Sequence, residues 1–203
     1  MPSFDEEKIL EARGYRNIAG VDEAGRGALA GPVVAAAVIL PLHKDLPFIT
    51  QVRDSKKLTP LKRESLFHDI HESALAIGIG VSNLDTIDSL GIVAATRLAM
   101  KSAVEQLFPP ADYMLVDYLS LPEVNLPQKG ITRGDDFSYS IACASIIAKV
   151  SRDKLMAKLD LEYSGYGLAS HKGYGTRMHV ENLQRLGPCA VHRKTFSPVR
   201  ELI

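Results

Sequence analysis

The stretch from Asn17 to Leu40, NIAGVDEAGRGALAGPVVAAAVIL, constrains the fold more than any other part of the chain. Ile18 to Asp22 and Val33 to Leu40 are rich in β-branched residues and read as strands, with Gly25, Gly27, Gly31 and Pro32 forming the turn between them. A close antiparallel pair is the simplest way to join them. Asp22 and Glu23 are the difficulty, because they put two carboxylates where such a pair should carry core. Consecutive side chains on a regular strand point to opposite faces, so both acids reach one site only if the strand twists or bulges. Gly20 and Gly25 would permit that distortion.

Acids recur at the ends of later apolar runs. Thr59 as N-cap and Pro60 at the first helical position open a helix with an apolar face of Leu61, Leu66, Phe67 and Ile70. Leu75 to Val81 returns to the sheet, and a longer helical pattern runs through Ile92, Val93, Leu98, Val104 and Leu107 until Pro109 and Pro110 end it. Tyr113 to Val116 is a short buried-type strand that delivers Asp117. Ile131 belongs to a last brief strand before Asp135 and Asp136, and a third helix begins at Ser138 and continues through Ile141, Ala144, Ile147 and Ala148. Thr176 caps a short helix that ends at Gly187. Strands first, then strands alternating with helices, describe an α/β fold on a mixed sheet, antiparallel early and parallel late.

Parallel neighbours place their C-terminal ends together, so Asp22, Glu23, Asp117 and Asp135 would gather at one rim. Their mutual repulsion there calls for a cation. An oxygen-only cluster suits a hard ion, Mg²⁺ or Mn²⁺, ahead of zinc. Two such ions about 3.5–4 Å apart can stabilise both the attacking and the leaving oxygen in phosphoryl transfer.

With 203 residues, 46% of them hydrophobic, the chain can bury one substantial core and carry a small extension. Its 24 basic and 24 acidic residues balance, but residues 171–203 hold six Lys or Arg against two acids. A basic tail and a mildly acidic body fit an anionic partner near the tail and a cation site elsewhere. Cys143 and Cys189 are too few for a disulfide framework, which points to a reducing compartment, and Cys143 reads as a small core residue. The acid-rich opening is unlike a secretory signal, and the longest apolar run, Pro32 to Leu42, is too short to span a bilayer. A cytoplasmic protein without membrane attachment is the expectation.

Five motifs then stand in order: GVDEAGRGALAGPVVAAAVIL, DSKKLT, LVD, GDDFSYSIACASIIAKVSRD and HKGYGT. Together, from about Ile18 to Pro198, they resemble ribonuclease HII, the type 2 ribonucleases H. The resemblance implies a ribonuclease H-like five-stranded mixed sheet flanked by helices, as a catalytic domain over residues 1–160. A helical C-terminal extension over residues 161–203 would contribute to substrate binding. It also implies a monomeric endonuclease that hydrolyses the RNA strand of RNA–DNA hybrids. Such an enzyme would cut 5′ of single ribonucleotides embedded in duplex DNA, as in ribonucleotide excision repair. Two Mg²⁺ or Mn²⁺ ions would serve catalysis, leaving a 5′-phosphate and a 3′-hydroxyl.

Carried over by position, the catalytic, metal-binding carboxylates are Asp22, Glu23, Asp117 and Asp135. The family pattern, Gly-Asp, two variable positions, Ser, two more, then Ile-Ala, selects Asp135 over Asp136. Gly25, Arg26 and Gly27 resemble the element that reads the ribonucleotide 2′-hydroxyl and the adjoining phosphate. Glycines allow close backbone approach, and an arginine forks onto phosphate oxygens. Tyr174 matches the family tyrosine that packs on the sugar at the RNA-to-DNA junction, and Lys56 and Lys57 are expected to meet backbone phosphates. His171, His179 and His192 form no metal-binding spacing and are expected near the nucleic acid or capping the tail.

Two positions depart from the family: Tyr118, where glycine commonly follows the third carboxylate, and Cys143, where alanine is commoner. A DNA-directed nuclease such as a resolvase or integrase is the rival enzyme reading, which the Gly-Arg-Gly segment and Tyr174 oppose. A non-catalytic hybrid-binding module is the other rival, opposed by the complete set of carboxylates.

Overall fold

The computed structural model describes all residues from 1 to 203. Helix α1 (Asp5–Ala12) precedes strands β1 (Ile18–Ala24) and β2 (Val33–Ile39), helix α2 (Pro60–Ser73) and strand β3 (Ala76–Ser82). Helices α3 (Leu84–Leu90) and α4 (Ile92–Glu105) lead to strands β4 (Tyr113–Asp117) and β5 (Gln128–Ile131). The long helix α5 (Tyr139–Glu162) is followed by α6 (Leu168–His171) and α7 (Arg177–Leu186). Short 3₁₀ turns at Ser55–Lys57 and Gly134–Asp136 matter for the site.

The five strands form one sheet in the order β3-β2-β1-β4-β5. β1 pairs antiparallel with β2, and β2 with β3, whereas β1 with β4 and β4 with β5 are parallel. This is the mixed sheet that the strand order foretold. Every residue of β2 is buried, which is why Val33 to Ile39 reads as an unbroken apolar run rather than an alternating one. Val33, Ala35, Ala37 and Ile39 pack with Ala99, Met100 and Ala103 of α4. Ala36 and Val38 face the other way, against Ile146 and Ile147 of α5 and Leu66 and Ile70 of α2. Helices therefore cover both faces of the sheet.

The N-terminus of α5 lies directly on β1. A Cβ added at Gly20 would stand 2.0 Å from the Ser140 carbonyl carbon, so only glycine lets the helix approach this closely. The tail has its own apolar cluster, in which Tyr166, Leu168, Leu183, Val191 and Val199 close over Met156 of α5 and Leu29 and Ala30 of the loop after β1.

The local signals at helix ends are all present: Thr59, Ser138 and Thr176 accept cap hydrogen bonds from Lys62, Ile141 and His179. Three helices go beyond the sequence reading, the four-residue α6 among them. Helix α1 buries only Glu7 and Leu10, too little for an apolar stripe. Helix α3 is capped by Asn83 and set off from α4 by Gly91 at φ +81°. No helix is long and apolar enough to cross a membrane.

Candidate active site

The parallel ladder of β1 and β4 ends with Val21 opposite Val116, so Asp22 and Asp117 are the next residues out on strands roughly 4.8 Å apart. Both side chains project to the face covered by α5, because Gly20 meets Ser140 there and Leu115 clusters with Ile141. Asp135 arrives from the 3₁₀ turn between β5 and α5. That turn is tied to β4 by the Gly134 N–H, which donates a 2.6 Å hydrogen bond to Asp117 Oδ1.

Glu23 reaches the rim differently from expectation. The β1–β2 register runs unbroken from Ala19 opposite Ile39 to Ala24 opposite Val34, so there is no bulge. β1 has by then outrun its pairing with β4, and Glu23 lines the cleft beside Arg26. There it lies in the fields of Arg26, Asp117 and Lys56.

The four acids resist ionisation. Burial lifts the Asp22 carboxyl well above its ordinary value, and Glu23, Asp117 and Asp135 raise it further. Burial also raises Glu23, opposed by Arg26 at 3.4 Å. It raises Asp117 against the Gly134 hydrogen bond and Lys56. Asp135 is pushed up to about 6 by burial, then by Asp54 and Asp117. A cation among these groups would relieve both burial and repulsion.

The residues fit a hard divalent ion. Glu23 Oε2 is buried without a hydrogen-bond partner, and every donor at the rim is an oxygen, the chemistry of Mg²⁺ and Mn²⁺. No three His, Cys, Asp or Glu side chains form a ready metal cage. Mg²⁺ does not need one, since it usually keeps several waters and takes one or two carboxylates together with phosphate oxygens.

Beside the rim opens a cleft of about 310 Å³, which Glu23 joins to the carboxylates. Gly25, Arg26, Gly27, Lys56 and Tyr174, separated by up to about 150 positions in sequence, all line it. Burial pushes the Lys56 amine down, but Asp54, Asp22 and Asp135 outweigh it and hold the pKa above its usual value. Lys57 is engaged elsewhere, 2.6 Å from Asp136 Oδ1. That pairing draws Asp136 away from the rim and keeps its carboxyl below the ordinary range.

Ser55, Ser145 and Lys149 line the same cleft and were not singled out from the sequence. Ser145, Lys149 and Arg152 stand at i, i+4 and i+7, on one face of α5, and that spacing was the available signal. The Tyr174 ring lies 5.5 Å from Lys149 Nζ and 5.4 Å from the Arg152 guanidinium.

Two buried arginines hold the loop after β1. Arg152 donates to the carbonyls of Pro32, Ala30 and Lys172. Arg193 donates to those of Gly25, Arg26 and Gly31. Gly25, at φ +94°, leaves no room for a Cβ, which would stand 1.8 Å from Arg152 Nε. Burial and then Arg152 bring the Arg193 pKa down to about 9, still charged at neutral pH.

The histidines cap the tail behind Tyr174. His179 Nδ1 lies 3.0 Å from the Tyr174 carbonyl and must donate to it. Its Nε2 therefore accepts from His192 Nε2 at 3.2 Å. His192 Nδ1 in turn accepts the Cys189 N–H at 3.1 Å. This chain of bonds requires both rings to be neutral, and burial lowers both pKa values, His192 to about 4.

Known proteins resemble this chain in sequence and in fold. A match to the family ribonuclease HII spans residues 19–199. The chain belongs to the ribonuclease HII family. A ribonuclease HII from Dehalococcoides mccartyi is 56% identical over 202 residues, covering 100% of this chain and 95% of the relative. The crystal structure of the ribonuclease H2 from Pyrococcus horikoshii OT3 superposes with a TM-score of 0.76 at 24% identity, covering 92% of this chain and 97% of that one. Bst-RNase HIII in complex with Mn²⁺ gives a TM-score of 0.62 at 18% identity, over 92% of this chain and 68% of that one.

As a ribonuclease HII family member the chain is a ribonuclease H, an endonuclease that hydrolyses phosphodiester bonds. Its departure at Tyr118 has a backbone counterpart, because this residue sits at φ +59°, in the left-handed region that favours glycine. The ring is exposed and lies 6.0 Å from the Arg26 guanidinium. Cys143 is fully buried on α5, as a core residue should be.

Proposed function

We propose that this ribonuclease H acts on the RNA strand of RNA–DNA hybrids and also cuts 5′ of a single ribonucleotide embedded in duplex DNA. The observation that carries the proposal is the junction of two features at Glu23: a rim of four carboxylates and a cleft lined by Gly25, Arg26, Gly27 and Tyr174. The first is suited to phosphodiester hydrolysis and the second to recognising one sugar.

In this reading the Gly25–Gly27 backbone approaches the ribose 2′-hydroxyl, the one group that separates RNA from DNA at a given sugar. Arg26 forks onto the adjoining phosphate. The Tyr174 ring packs on the neighbouring sugar, a contact indifferent to base sequence. Lys56 and the basic tail neutralise backbone phosphates, so residues 161–203 serve as a substrate-binding extension of the catalytic unit at 1–160.

Asp22, Glu23, Asp117 and Asp135 would hold two divalent ions, Mg²⁺ or Mn²⁺, Asp22 and Asp135 on the side of the attacking water. The ions would supply water activation and stabilisation of the leaving oxygen. Water oxygen joins phosphorus as the bond to the 3′ oxygen breaks, leaving a 5′-phosphate and a 3′-hydroxyl. The setting is a cytoplasmic monomer initiating ribonucleotide excision; the two free cysteines bear only on the first of these, suiting a reducing compartment.

Cleavage-site mapping on a duplex with one ribonucleotide, with and without Mg²⁺ or Mn²⁺, tests the proposal. A metal-dependent nick 5′ of the ribonucleotide, absent from the all-DNA duplex and from Asp22→Asn, is expected. Equal cutting of the all-DNA duplex would favour a DNA nuclease, and binding without cleavage a passive hybrid-binding module. Wild-type nicking by Asp22→Asn would remove that residue from the catalytic set.

A further inference from the structure

Helix α1 precedes the family-matching span, which begins at residue 19, yet its Glu7 is fully buried against the start of α5, just after the turn that carries Asp135. Glu7 Oε1 accepts a 2.6 Å hydrogen bond from the Ser138 hydroxyl and a 3.0 Å bond from the Ser140 N–H. Ser138 is the N-cap of α5, and its Oγ accepts the Ile141 N–H at 3.2 Å. Glu7 thus takes one free N–H of the first helical turn and orients the hydroxyl that takes the next.

Ser3 closes the clamp from the same segment. Its N–H donates to the Phe137 carbonyl at 3.0 Å, and its carbonyl accepts the Tyr139 N–H at 3.1 Å. On the other side, the Ser138 N–H donates to the Gly134 carbonyl at 2.8 Å, and the Gly134 N–H donates to Asp117 Oδ1 at 2.6 Å. An unbroken series of bonds therefore runs from Glu7 to Asp117 past the position of Asp135.

We propose that Glu7 is a positioning residue for the carboxylate rim, holding Asp135 and Asp117 where a divalent ion can use them. The inference rests on reading those two aspartates as metal ligands. A cap alone does not require a buried carboxyl, since Ser138 already caps α5 and water serves at ordinary helix ends. Glu7 Oε2 has no hydrogen-bond partner, a cost that capping the helix does not call for. Direct partners of metal ligands fix the ligand without touching the ion, and Glu7 acts one step further out, through Ser138 and Gly134.

The test compares Glu7→Ala and Glu7→Gln in the full chain. Mn²⁺ binding is measured by calorimetry without nucleic acid, and kcat and KM on an RNA–DNA hybrid. Glu7→Ala should weaken Mn²⁺ binding and lower kcat by about tenfold to a hundredfold, with KM unchanged because Glu7 lies outside the cleft. Glu7→Gln should restore both. Its Oε1 can accept the same two bonds, and its amide nitrogen falls where Oε2 already lacks a partner.

A folded Glu7→Ala with wild-type Mn²⁺ affinity and kcat overturns the proposal, as does a Glu7→Gln variant equally impaired. If Glu7→Ala does not fold, Glu7→Asp draws the carboxyl back by one methylene. Reduced Mn²⁺ affinity then supports the proposal, and unchanged affinity overturns it. Asp135→Asn separates the two readings, because Mn²⁺ binding that survives this change refutes the ligand assignment whatever Glu7 does.

Discussion

The Asp117 carboxylate pins Gly134, whose N–H lies 2.6 Å from Oδ1, so one acid of the rim fixes the turn that presents another. Charge and geometry at Asp117 can therefore be separated. Asparagine keeps an Oδ1 that accepts the Gly134 N–H, whereas alanine leaves that donor without its partner. Both variants should lose turnover, but only Asp117→Ala should also lose about 1–3 kcal/mol of stability, read from urea denaturation. Equal stability of the two variants would mean that the hydrogen bond is not what holds the turn.

The raised carboxyl pKa values set how the metal-free protein responds to pH. An acid whose folded pKa is raised contributes stability that is complete below its unfolded value near 4 and lost as pH climbs through the folded value. Asp22, Glu23, Asp117 and Asp135 all shift upward, Asp135 to about 6. Metal-free Tm should therefore lose this contribution between about pH 4 and 7. Asp22→Asn should flatten the loss, and Mg²⁺ should reverse it at pH 7. Scanning calorimetry across this range, with and without Mg²⁺, checks all three.

The left-handed backbone at Tyr118 inverts a familiar ranking. Alanine ordinarily gives a more stable chain than glycine, but at φ +59° the Cβ is strained. Tyr118→Gly should be more stable than Tyr118→Ala by about 0.5–1 kcal/mol, since both lose the same ring contact with Arg26. Chemical denaturation of the pair decides it, and alanine as the more stable variant would show that the strain is not there.

The histidine chain behind Tyr174 makes a spectroscopic prediction. At pH 6, nitrogen-15 NMR of the imidazoles should find His179 protonated on Nδ1 alone and His192 on Nε2 alone, as their partners require. A charged His192 at that pH would contradict the arrangement. Replacing His192 with phenylalanine should weaken binding to a ribonucleotide-containing duplex more than to all-DNA duplex, because the support behind Tyr174 is lost.

Much of this architecture was legible because its signals are local. Thr59, Ser138 and Thr176 cap helices from within their own first turns, and apolar runs ending at Asp22 and Asp117 place those acids at strand ends. Glu23 was harder, since strand alternation asked for a bulge and the structure uses the end of the strand pairing instead. Glu7 could not be read at all: its partner lies 131 positions away, and in sequence it is one acid among several. Arg152 and Arg193 look like surface charges, because backbone carbonyls, which every residue carries, leave no trace in the sequence.

Those two arginines have an electrical consequence. Their hydrogen-bond partners are all main-chain oxygens, so two positive charges sit behind the Gly25–Pro32 segment with no carboxylate bonded to either, only the fields of Asp153 and Asp88 nearby. Asp153 is already shared with Arg63 and Lys149, so part of this field is left to end outside. A polyanion nearing this side of the molecule meets attraction through the wall before it touches any side chain.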